Sequence, residues 1–323
     1  MTAHAIVQEA LGGPDVLHYR EIDLVPPGPG EVRLRQRAIG VNYHDIYNRD
    51  GRNRLLKLPG TPGLEAVGEI TALGPDAGPW RIGDRAAYVW RGYGGYASER
   101  NIAASILVRL PEGIAEDVVA CSILRGTTVA MLLQKVRAVT AGSSVLVHAA
   151  SGATGRLICD WAAHIGARVI GTVSSEARKA VAPASCDALV LNSDPDWTGQ
   201  VRALAPRGID YVIDSIGKPT FDGSFAVAAP CGHVTMLGQA GGPVESVAIA
   251  TLAAKSLSVS RPIVFDWYPD GASAQPMIDD FYALVRAGVL TVPKPTVLPL
   301  AEAGRAQALL EQRGLDRSII LRP

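Results

Sequence analysis

The apolar and polar positions are most regular between residues 144 and 175, where their period changes twice. Residues 145–150 are nearly all apolar without polar alternation, which is typical of a strand buried on both faces of a parallel sheet. From Arg156 the apolar side chains recur at helical spacing until Gly166, and residues 167–173 form a second apolar run. The pattern predicts one complete β-turn-α-β unit.

The segment between the first strand and the helix reads Ala-Ser-Gly-Ala-Thr-Gly. Ala150, Gly152 and Gly155 fall at the three positions of the dinucleotide-binding turn, with alanine at the first. Small residues let the backbone approach a pyrophosphate, and the next helix points its free N–H groups and positive dipole end at it. A β-turn-α-β unit without a ligand is the alternative. We predict cofactor binding by Ala150, Ser151, Gly152, Ala153, Thr154 and Gly155.

The end of the second strand indicates which dinucleotide binds. NAD-binding proteins usually place an Asp or Glu there, and that charge would repel a 2′-phosphate. Here the strand ends at Ser174 and Ser175, and Arg178 and Lys179 follow within one helical turn. Hydroxyls and cations can bind a phosphate dianion through charge-assisted hydrogen bonds. Glu176 is the one nearby residue whose charge would disfavour a phosphate. We therefore predict NADPH as the cofactor, bound in part by Ser174, Ser175 and Arg178.

The rest of the chain extends this unit into two domains. Before it, short strands separated by Gly and Pro turns are typical of a β-barrel, and residues 115–139 then show helical periodicity. After it, apolar strands predicted at 208–215, 232–237 and 256–260 give a doubly wound parallel sheet. The remaining residues form helices and a final strand at 318–321, and we expect this tail to fold back onto the first domain.

Composition and charge exclude several classes of partner. The 323 residues are 48% hydrophobic, enough for two cores, and 31 basic side chains balance 31 acidic ones. This balance provides no global basic surface for nucleic acid, and no apolar run is long enough to span a bilayer. Cys121, Cys159, Cys186 and Cys231 have no C-x-x-C spacing and indicate buried thiols in a reducing compartment. We expect a cytoplasmic protein with neither nucleic-acid nor membrane partners.

Motifs spread along the chain carry a family resemblance: GPGEVRLR at 28–35, AIGVNYHDIYNRDG at 38–51, PGLEAVGEI at 62–70, GDR at 83–85 and HAASGATG at 148–155. Together they resemble the medium-chain dehydrogenase/reductases and, within them, the zinc-free quinone oxidoreductase branch that includes zeta-crystallin. The resemblance covers essentially the whole chain. It implies an α/β protein with a GroES-like β-barrel catalytic domain at 1–122 and 264–323 and an inserted Rossmann domain at 123–263. It also implies an active-site cleft between the domains and usually a homodimer.

Departures from the zinc-dependent members of that family argue against a metal. Leu64 and Glu65 follow the Pro-Gly pair where zinc alcohol dehydrogenases have His and Glu, and no cysteine occurs at 41–44. The cysteine-rich zinc loop is also missing, and the six histidines have no paired spacing that would supply a tetrahedral site. We predict no metal, and we expect His44 and His233 to be packing or surface residues.

Without zinc, the expected acceptor is one that spreads the arriving charge itself, as quinones and conjugated enones do. We predict an NADPH-dependent, zinc-independent quinone oxidoreductase that transfers a hydride from the nicotinamide to a quinone. The resemblance implies that Asn42, Asp45 and Tyr47 line the nicotinamide cleft, where Asn42 holds the carboxamide or a water and Tyr47 donates a proton or bonds the substrate carbonyl. In the alternative interpretation, Asn42 and Asp45 cap a helix and Tyr47 packs against the domain.

The resemblance and the strand ends add further candidate cofactor contacts. Thr128 is expected to bond the nicotinamide side, and Arg125 to offer positive charge to a phosphate or the substrate. Ser193 stands where many relatives have a tyrosine beside the 2′-phosphate. Ordinary turn chemistry is the alternative for the residues that follow strands. The full set is Arg125, Thr128, Ser193, Gly238, Gln239, Ser260, Arg261 and Arg317.

Two other functions remain open at this point. An NADPH-dependent 2-alkenal or enoyl-thioester reductase would use the same hydride but protonate its substrate at carbon, so that Tyr47 would be an essential acid. A non-catalytic NADPH-binding structural or RNA-binding protein is the second alternative, and a gel-shift assay would reveal the RNA binding.

Overall fold

The structure is a computed structural model that describes residues 2–312 and 317–323. Numbered along the chain, the strands are β1 Thr2–Gln8, β2 Leu17–Asp23, β3 Glu31–Val41, β4 Glu65–Leu73, β5 Arg85–Val89, β6 Glu99–Ala103, β7 Val108–Arg109, β8 Ser144–His148, β9 Arg168–Val173, β10 Ala188–Leu191, β11 Ile209–Asp214, β12 Ala228–Met236, β13 Ser258–Ser260, β14 Thr296–Pro299 and β15 Ile319–Arg322. The α-helices are α1 Tyr43–Arg49, α2 Glu116–Ala120, α3 Ile123–Ala130, α4 Ala153–Ile165, α5 Glu176–Ala180, α6 Trp197–Leu204, α7 Phe221–Val227, α8 Ile249–Ala253, α9 Val264–Trp267, α10 Gly271–Arg286 and α11 Ala303–Glu311.

The first of two units consists of the described residues up to Thr127, together with Trp267–Arg286 and Val292–Pro323. Its main sheet has the order β14-β15-β3-β4-β5-β7, and β1 pairs with β2 separately. The long strand β3 pairs with β4 along one edge, while β6 and β15 share its other edge. The C-terminal strand β15 thereby completes the sheet that the N-terminal strands begin.

Alternating side chains of the central strands form the core of the first unit. Val32 and Leu34 on β3 and Ala66 and Ile70 on β4 are fully buried in one hydrophobic cluster. Burial of each large aliphatic side chain stabilises the fold by about 1.5–3 kcal/mol relative to exposure. Leu310 of α11 packs in the same cluster, so the tail of the chain contributes to this core as well as to the sheet.

The second unit consists of Thr128–Asp266 and Ala287–Thr291. Its six strands are all parallel, in the order β10-β9-β8-β11-β12-β13. The chain adds strands outward from β8 to β10 and then returns to place β11 beside β8, so the strand order reverses between β8 and β11. Ligands of doubly wound sheets bind at the carboxyl ends of the strands at such a reversal.

The predicted α/β class with an inserted doubly wound sheet is confirmed. The strands predicted at 208–215, 232–237 and 256–260 are β11, β12 and β13. Strand β10 was not predicted, because four residues are too few to establish a period. The chain passes from the first unit into the second after Thr127 and leaves the second unit after Asp266. The sequence placed these two domain boundaries after residues 122 and 263.

Candidate active site

The Ala-Ser-Gly-Ala-Thr-Gly segment forms a tight turn between β8 and α4. Ala149 has a φ of 54°, and its carbonyl accepts a hydrogen bond from the Gly152 N–H at 2.9 Å. Gly152 is the N-cap of α4, which begins at Ala153. A Cβ on Gly155 would lie 2.3 Å from the Ala149 carbonyl oxygen and 3.0 Å from the Cα of Ala150. Only glycine therefore lets the first turn of the helix pack this closely on the turn that precedes it.

The residues predicted to choose the dinucleotide follow the neighbouring strands on the same edge of the sheet. Ser174 is exposed directly after β9, and Ser175 is the N-cap of α5, with its Oγ accepting a hydrogen bond from the Arg178 N–H at 3.3 Å. The Asn192 N–H donates to the Val173 carbonyl at 3.0 Å, which holds exposed Ser193 next to the end of β9. The structure thus groups Ser174, Ser175 and Ser193 at the ends of β9 and β10.

The other half of that edge carries Gly238 and Gln239 after β12 and Ser260 and Arg261 at the end of β13. The Ser260 hydroxyl lies 2.7 Å from His233 Nε2 and 2.9 Å from the Thr235 Oγ1. This hydroxyl therefore links β12 to β13, while Arg261 is exposed.

A buried polar network that the sequence did not indicate lies among the ends of β8, β9 and β11. His148 is 1% exposed, and its ring nitrogens lie 2.8 Å from Thr172 Oγ1 and 3.1 Å from Ser224 Oγ. The Asp214 carboxylate accepts hydrogen bonds from the hydroxyls of Ser224 and Thr220, at 2.9 and 2.8 Å. Burial lowers the pKa of His148, so the ring is neutral at physiological pH. The network fixes His148, the residue before Ala149, and the turn between β8 and α4 begins at Ala149.

Helix α1 in the first unit carries the predicted catalytic residues, and its cap joins two of them. The Asn42 N–H donates to Asp45 Oδ2 at 2.8 Å, and the Tyr96 hydroxyl donates to the same oxygen at 3.1 Å. Asp45 is fully buried, and this desolvation raises its pKa to about 7. Asp45 therefore caps helix α1, as in the alternative interpretation of the sequence, and its side chain is buried among other protein groups.

Glu65 orients Asn42, which the sequence did not indicate. The Asn42 side-chain amide donates to Glu65 Oε1 at 2.8 Å, and the Leu124 N–H donates to Oε2 at 2.7 Å. Glu65 is 1% exposed, and burial raises its pKa. A Cβ on Gly40 would lie 2.2 Å from Oε1, so glycine at position 40 leaves the room this carboxylate occupies.

The residues around Glu65 do not fit a zinc ion. Both of its carboxylate oxygens accept hydrogen bonds from N–H donors, and an amide is a poor zinc ligand beside them. His44 contacts Asn48, with 3.0 Å between ring nitrogen and amide nitrogen. In the ranges 2–312 and 317–323, no three His, Cys, Asp or Glu side chains are grouped as metal ligands would be.

Tyr47 lies one helical turn after the cap and is half-buried. The Arg52 guanidinium stacks on its ring, 4.2 Å from the centroid, and Asp50 accepts a hydrogen bond from Arg52 Nε at 2.7 Å. Burial raises the pKa of Tyr47, and the charge of Arg52 acts in the opposite direction. The phenol therefore stays protonated near neutral pH beside a fixed cation, which is the state that a proton donor requires.

The remaining candidates are spread over both units. Arg125 on α3 donates to the Ser318 Oγ at 2.6 Å, which ties its guanidinium to the residue before β15. Thr128 lies one turn further along the same helix and is half-buried, and Arg317 is exposed. Arg125 and Arg317 belong to the first unit and Thr128 to the second, and the roles of all three stay predictions.

Two of the four cysteines depart from the predicted burial. Cys121 and Cys159 are buried, but Cys186 is partly exposed and Cys231 is exposed. Cys186 lies in the segment before the unpredicted strand β10, and Cys231 has a φ of 59° within β12. The prediction rested on the absence of C-x-x-C spacing, which carries no information on how deeply each thiol lies in the fold.

The buried carboxyl of Asp45 gives a testable pH dependence. The folded protein binds this proton more tightly than the unfolded chain, because burial raises the pKa from 3.8 to about 7. Stability contributed by the protonated form is complete below the lower value and is lost as pH rises through the higher one. We expect Asp45→Asn to gain stability relative to wild type as pH rises from about 4 to 7, on the order of 1 kcal/mol per pH unit. Urea unfolding of both proteins across this range measures the difference; a constant difference would contradict the prediction.

A parallel sheet with such a turn at its reversal point is typical of dinucleotide-dependent dehydrogenases and reductases. Residues 28–112 match the alcohol dehydrogenase GroES-like domain family, and residues 153–280 match the zinc-binding dehydrogenase family. The chain is 35% identical to a quinone oxidoreductase of Pseudomonas aeruginosa, covering 97% of this chain and 98% of that protein. It is 34% identical to a 2-haloacrylate reductase of Burkholderia, covering 99% and 98% of the two chains.

The solved structure of Escherichia coli quinone oxidoreductase complexed with NADPH superimposes with a TM-score of 0.92 at 30% identity, covering 100% of both chains. The chain therefore belongs to the medium-chain dehydrogenase/reductases, in their zinc-free quinone oxidoreductase branch. The predicted GroES-like domain is confirmed by the first match. In the part of the chain that the structure describes, none of the helices combines the length and apolar character needed to cross a bilayer.

Proposed function

We propose that this protein is an NADPH-dependent, zinc-independent quinone oxidoreductase that transfers a hydride from the nicotinamide to a quinone. The observation that carries the proposal is the turn at Gly155, packed against the Ala149 carbonyl at the reversal point of the parallel sheet. A turn of this shape leaves free N–H groups at the start of α4 for a pyrophosphate. Full-length relatives named quinone oxidoreductase, one solved with NADPH, support the same activity.

The second unit offers groups that fit NADPH. Ala150, Ser151, Gly152, Ala153, Thr154 and Gly155 would hold the pyrophosphate. Exposed Ser174 and Ser193 at the ends of adjacent strands, with Arg178 on α5, would hold the 2′-phosphate. Gly238, Gln239, Ser260 and Arg261 at the other strand ends, together with Arg125, Thr128 and Arg317, complete the proposed cofactor contacts. Bound NADPH supplies the hydride from its nicotinamide ring.

The first unit supplies orientation and a proton. Glu65 fixes the side chain of Asn42 through one hydrogen bond of 2.8 Å, so Asn42 presents a single orientation to a carboxamide or an ordered water. Asp45 holds the start of α1 through the Asn42 N–H. Tyr47 remains protonated and can donate to a developing oxyanion, with Arg52 supplying positive charge beside its ring. A quinone spreads the arriving charge over its own oxygens, so these groups suffice without a metal.

A second candidate function is the reduction of electron-poor alkenes. The stacked pair of Tyr47 and Arg52 is the observation that favours it, since a proton donor and a cation suit an unsaturated carbonyl compound. One of the full-length relatives is a 2-haloacrylate reductase. The two functions differ in where the second hydrogen goes, to oxygen in a quinone and to carbon in an alkene.

A spectrophotometric screen tests the proposal. NADPH and NADH oxidation are followed at equal concentrations with para- and ortho-quinones, 2-alkenals, enoyl thioesters and a 2-haloacrylate. We expect the highest rates with NADPH and quinones, unchanged after dialysis against EDTA. Failure to bind either coenzyme, or an activity that EDTA abolishes and zinc restores, would refute the proposal.

Arg178 provides a test of coenzyme choice. We expect Arg178→Ala to raise the KM for NADPH roughly tenfold, the effect of losing about 1.4 kcal/mol of charge-assisted bonding, while the KM for NADH stays within about twofold. Arg168→Ala is the matched control, because Arg168 is an exposed arginine at the opposite, amino end of β9. Equal losses for the two coenzymes would show that Arg178 does not read the 2′-phosphate.

We infer a homodimer in the cytoplasm. The homodimer is supported by the family resemblance, and the location by the four cysteines, all of which are free thiols. Light scattering of the purified protein measures its oligomeric state. Fractionation of cells that produce the protein measures its location.

A further inference from the structure

Residues 49–57, at the end of helix α1 and just after it, form a basic segment in a chain whose charges otherwise balance. The segment has four basic side chains and one acidic side chain, Asp50. Arg49 is buried, and its Nη2 lies 2.9 Å from Glu311 Oε1, so its charge is paired inside the first unit. The other three basic side chains are exposed: Arg52, Arg54 and Lys57. The basic segment therefore presents an excess of positive charge to solvent.

Asp50 holds the Arg52 guanidinium against the ring of Tyr47. Asp50 is the C-cap of α1, and its own N–H donates to the Ile46 carbonyl at 2.9 Å. Its Oδ1 accepts the Arg52 backbone N–H at 3.0 Å, and its Oδ2 accepts Arg52 Nε–H at 2.7 Å. The guanidinium carbon lies 4.2 Å from the centroid of the Tyr47 ring. Because a helix end and an aromatic ring fix this long side chain, it loses less conformational entropy when it binds a ligand.

The Asp50 carboxylate occupies only one edge of that guanidinium. It accepts from Nε and contacts Nη2, while arginine has five N–H donors in a planar fork. Within residues 2–312 and 317–323, Asp50 is the one side chain that hydrogen-bonds the guanidinium of Arg52. The Arg52 side chain is 57% exposed although it stacks on Tyr47, so its remaining donors are open to a ligand. A planar fork of N–H donors matches the oxygens of a carboxylate or sulfonate.

We propose that Arg52 selects acceptors that carry an anionic group, a carboxylate or sulfonate, next to the carbonyl that is reduced. The inference rests on the proposed function, in which the Tyr47 phenol donates to the acceptor oxygen, and it names the substrate class of that same site. An anionic group beside this oxygen lies within reach of the guanidinium stacked on the phenol ring. Arg54 and Lys57 contribute positive potential that attracts anions to the segment. A neutral acceptor gains only the contact with Tyr47.

Two quinones with the same ring system test this selection: 1,4-naphthoquinone-2-sulfonate and neutral 2-methyl-1,4-naphthoquinone, each with saturating NADPH. Selectivity is kcat/KM for the sulfonate divided by kcat/KM for the neutral quinone. We expect Arg52→Ala to lower selectivity about tenfold, mainly through the KM for the sulfonate, because a charge-assisted contact is lost. Arg52→Lys keeps the charge but not the fork and should lower selectivity about threefold. Arg54→Ala, the matched control, removes the same exposed charge two residues away and should lower selectivity less than about twofold.

Binding measured without turnover separates this inference from the proposed function. The NADP⁺-loaded enzyme is titrated calorimetrically with 1,4-naphthoquinone-2-sulfonate, and we expect Arg52→Ala to raise the Kd about tenfold whether or not quinones are reduced. Salt screens exposed charges, so the Kd of wild type should rise about threefold between roughly 20 and 200 mM NaCl, and that of Arg52→Ala should rise less.

Four outcomes would overturn the role of Arg52. They are equal Kd values in wild type and Arg52→Ala, unchanged selectivity in Arg52→Ala, equal losses of kcat/KM for the two quinones, and an equal fall in selectivity for Arg54→Ala. Equal losses would mean that Arg52 only supports the Tyr47 ring, and an equal fall would mean that the potential of the whole basic segment acts on the acceptor. Reduction of the neutral quinone by wild type would leave the proposed function intact in each case.

Discussion

Replacement of Gly155 by valine should weaken NADPH binding by roughly 10–100-fold. The added Cβ would lie 2.3 Å from the Ala149 carbonyl oxygen and 3.0 Å from the Ala150 Cα, and neither backbone atom can move without displacing the turn. Overpacking of this kind costs about 1–3 kcal/mol, which at tenfold per 1.4 kcal/mol sets the expected range. The free N–H groups at the start of α4 would then no longer point at the pyrophosphate. Titration of NADPH fluorescence measures the dissociation constant.

The matched control for this variant is His164→Val, which places the same β-branched residue in α4 on an exposed position far along the helix. It should change the dissociation constant for NADPH by less than about twofold. This variant has the lower helix propensity of valine but no steric clash with the turn. Circular dichroism of both variants confirms that the fold persists. If Gly155→Val bound NADPH as tightly as His164→Val, the turn would not be the pyrophosphate site, and the proposed function would lose its main support.

Tyr47→Phe should separate the two candidate reactions. If the protein reduces alkenals or enoyl thioesters, protonation at carbon needs a positioned acid, and loss of the phenol should lower kcat by about 10²–10⁴-fold. Quinone reduction should change by no more than about threefold, because water can protonate the product oxygens. Measuring kcat for a quinone and an alkenal with the same enzyme preparations gives the two effects directly.

Tyr43→Phe is the control for this comparison, since Tyr43 is on the same helix and 48% exposed, with its hydroxyl donating to the Leu310 carbonyl at 2.7 Å. It should leave both rates nearly unchanged. Equal losses of both activities in Tyr47→Phe would mean that Tyr47 positions the acceptor rather than protonating it, and would not decide between quinones and alkenes.

The helix cap at α1 shows how a sequence motif can combine two roles. Asp45 was considered either as a catalytic residue or as a cap, and the structure shows the cap, with Asp45 Oδ2 accepting from the Asn42 N–H. The same cap places the Asn42 side chain within 2.8 Å of Glu65. The structural role of Asp45 therefore supports the proposed functional role of Asn42.

The sequence alone determined the elements whose signal is local. The apolar runs of β8 and β9, the helical period of α4 and the small residues from Ala150 to Gly155 are all contained in one continuous stretch. Because a buried parallel strand needs apolar side chains on both faces, such a stretch also predicted the doubly wound sheet. The missing zinc ligands could be recognised in the same way, since those ligands occupy fixed positions in the family's motifs.

Only the tertiary structure decided which distant polar groups meet. Glu65 with Asn42, and Asp214 with His148 through Ser224, are each separated by many residues and joined by side-chain hydrogen bonds. The hydroxyl of Ser260, a predicted cofactor contact, also bonds His233 in the neighbouring strand. The physical reason is that strand order and register determine such pairings, and neither follows from the period of apolar positions within one element.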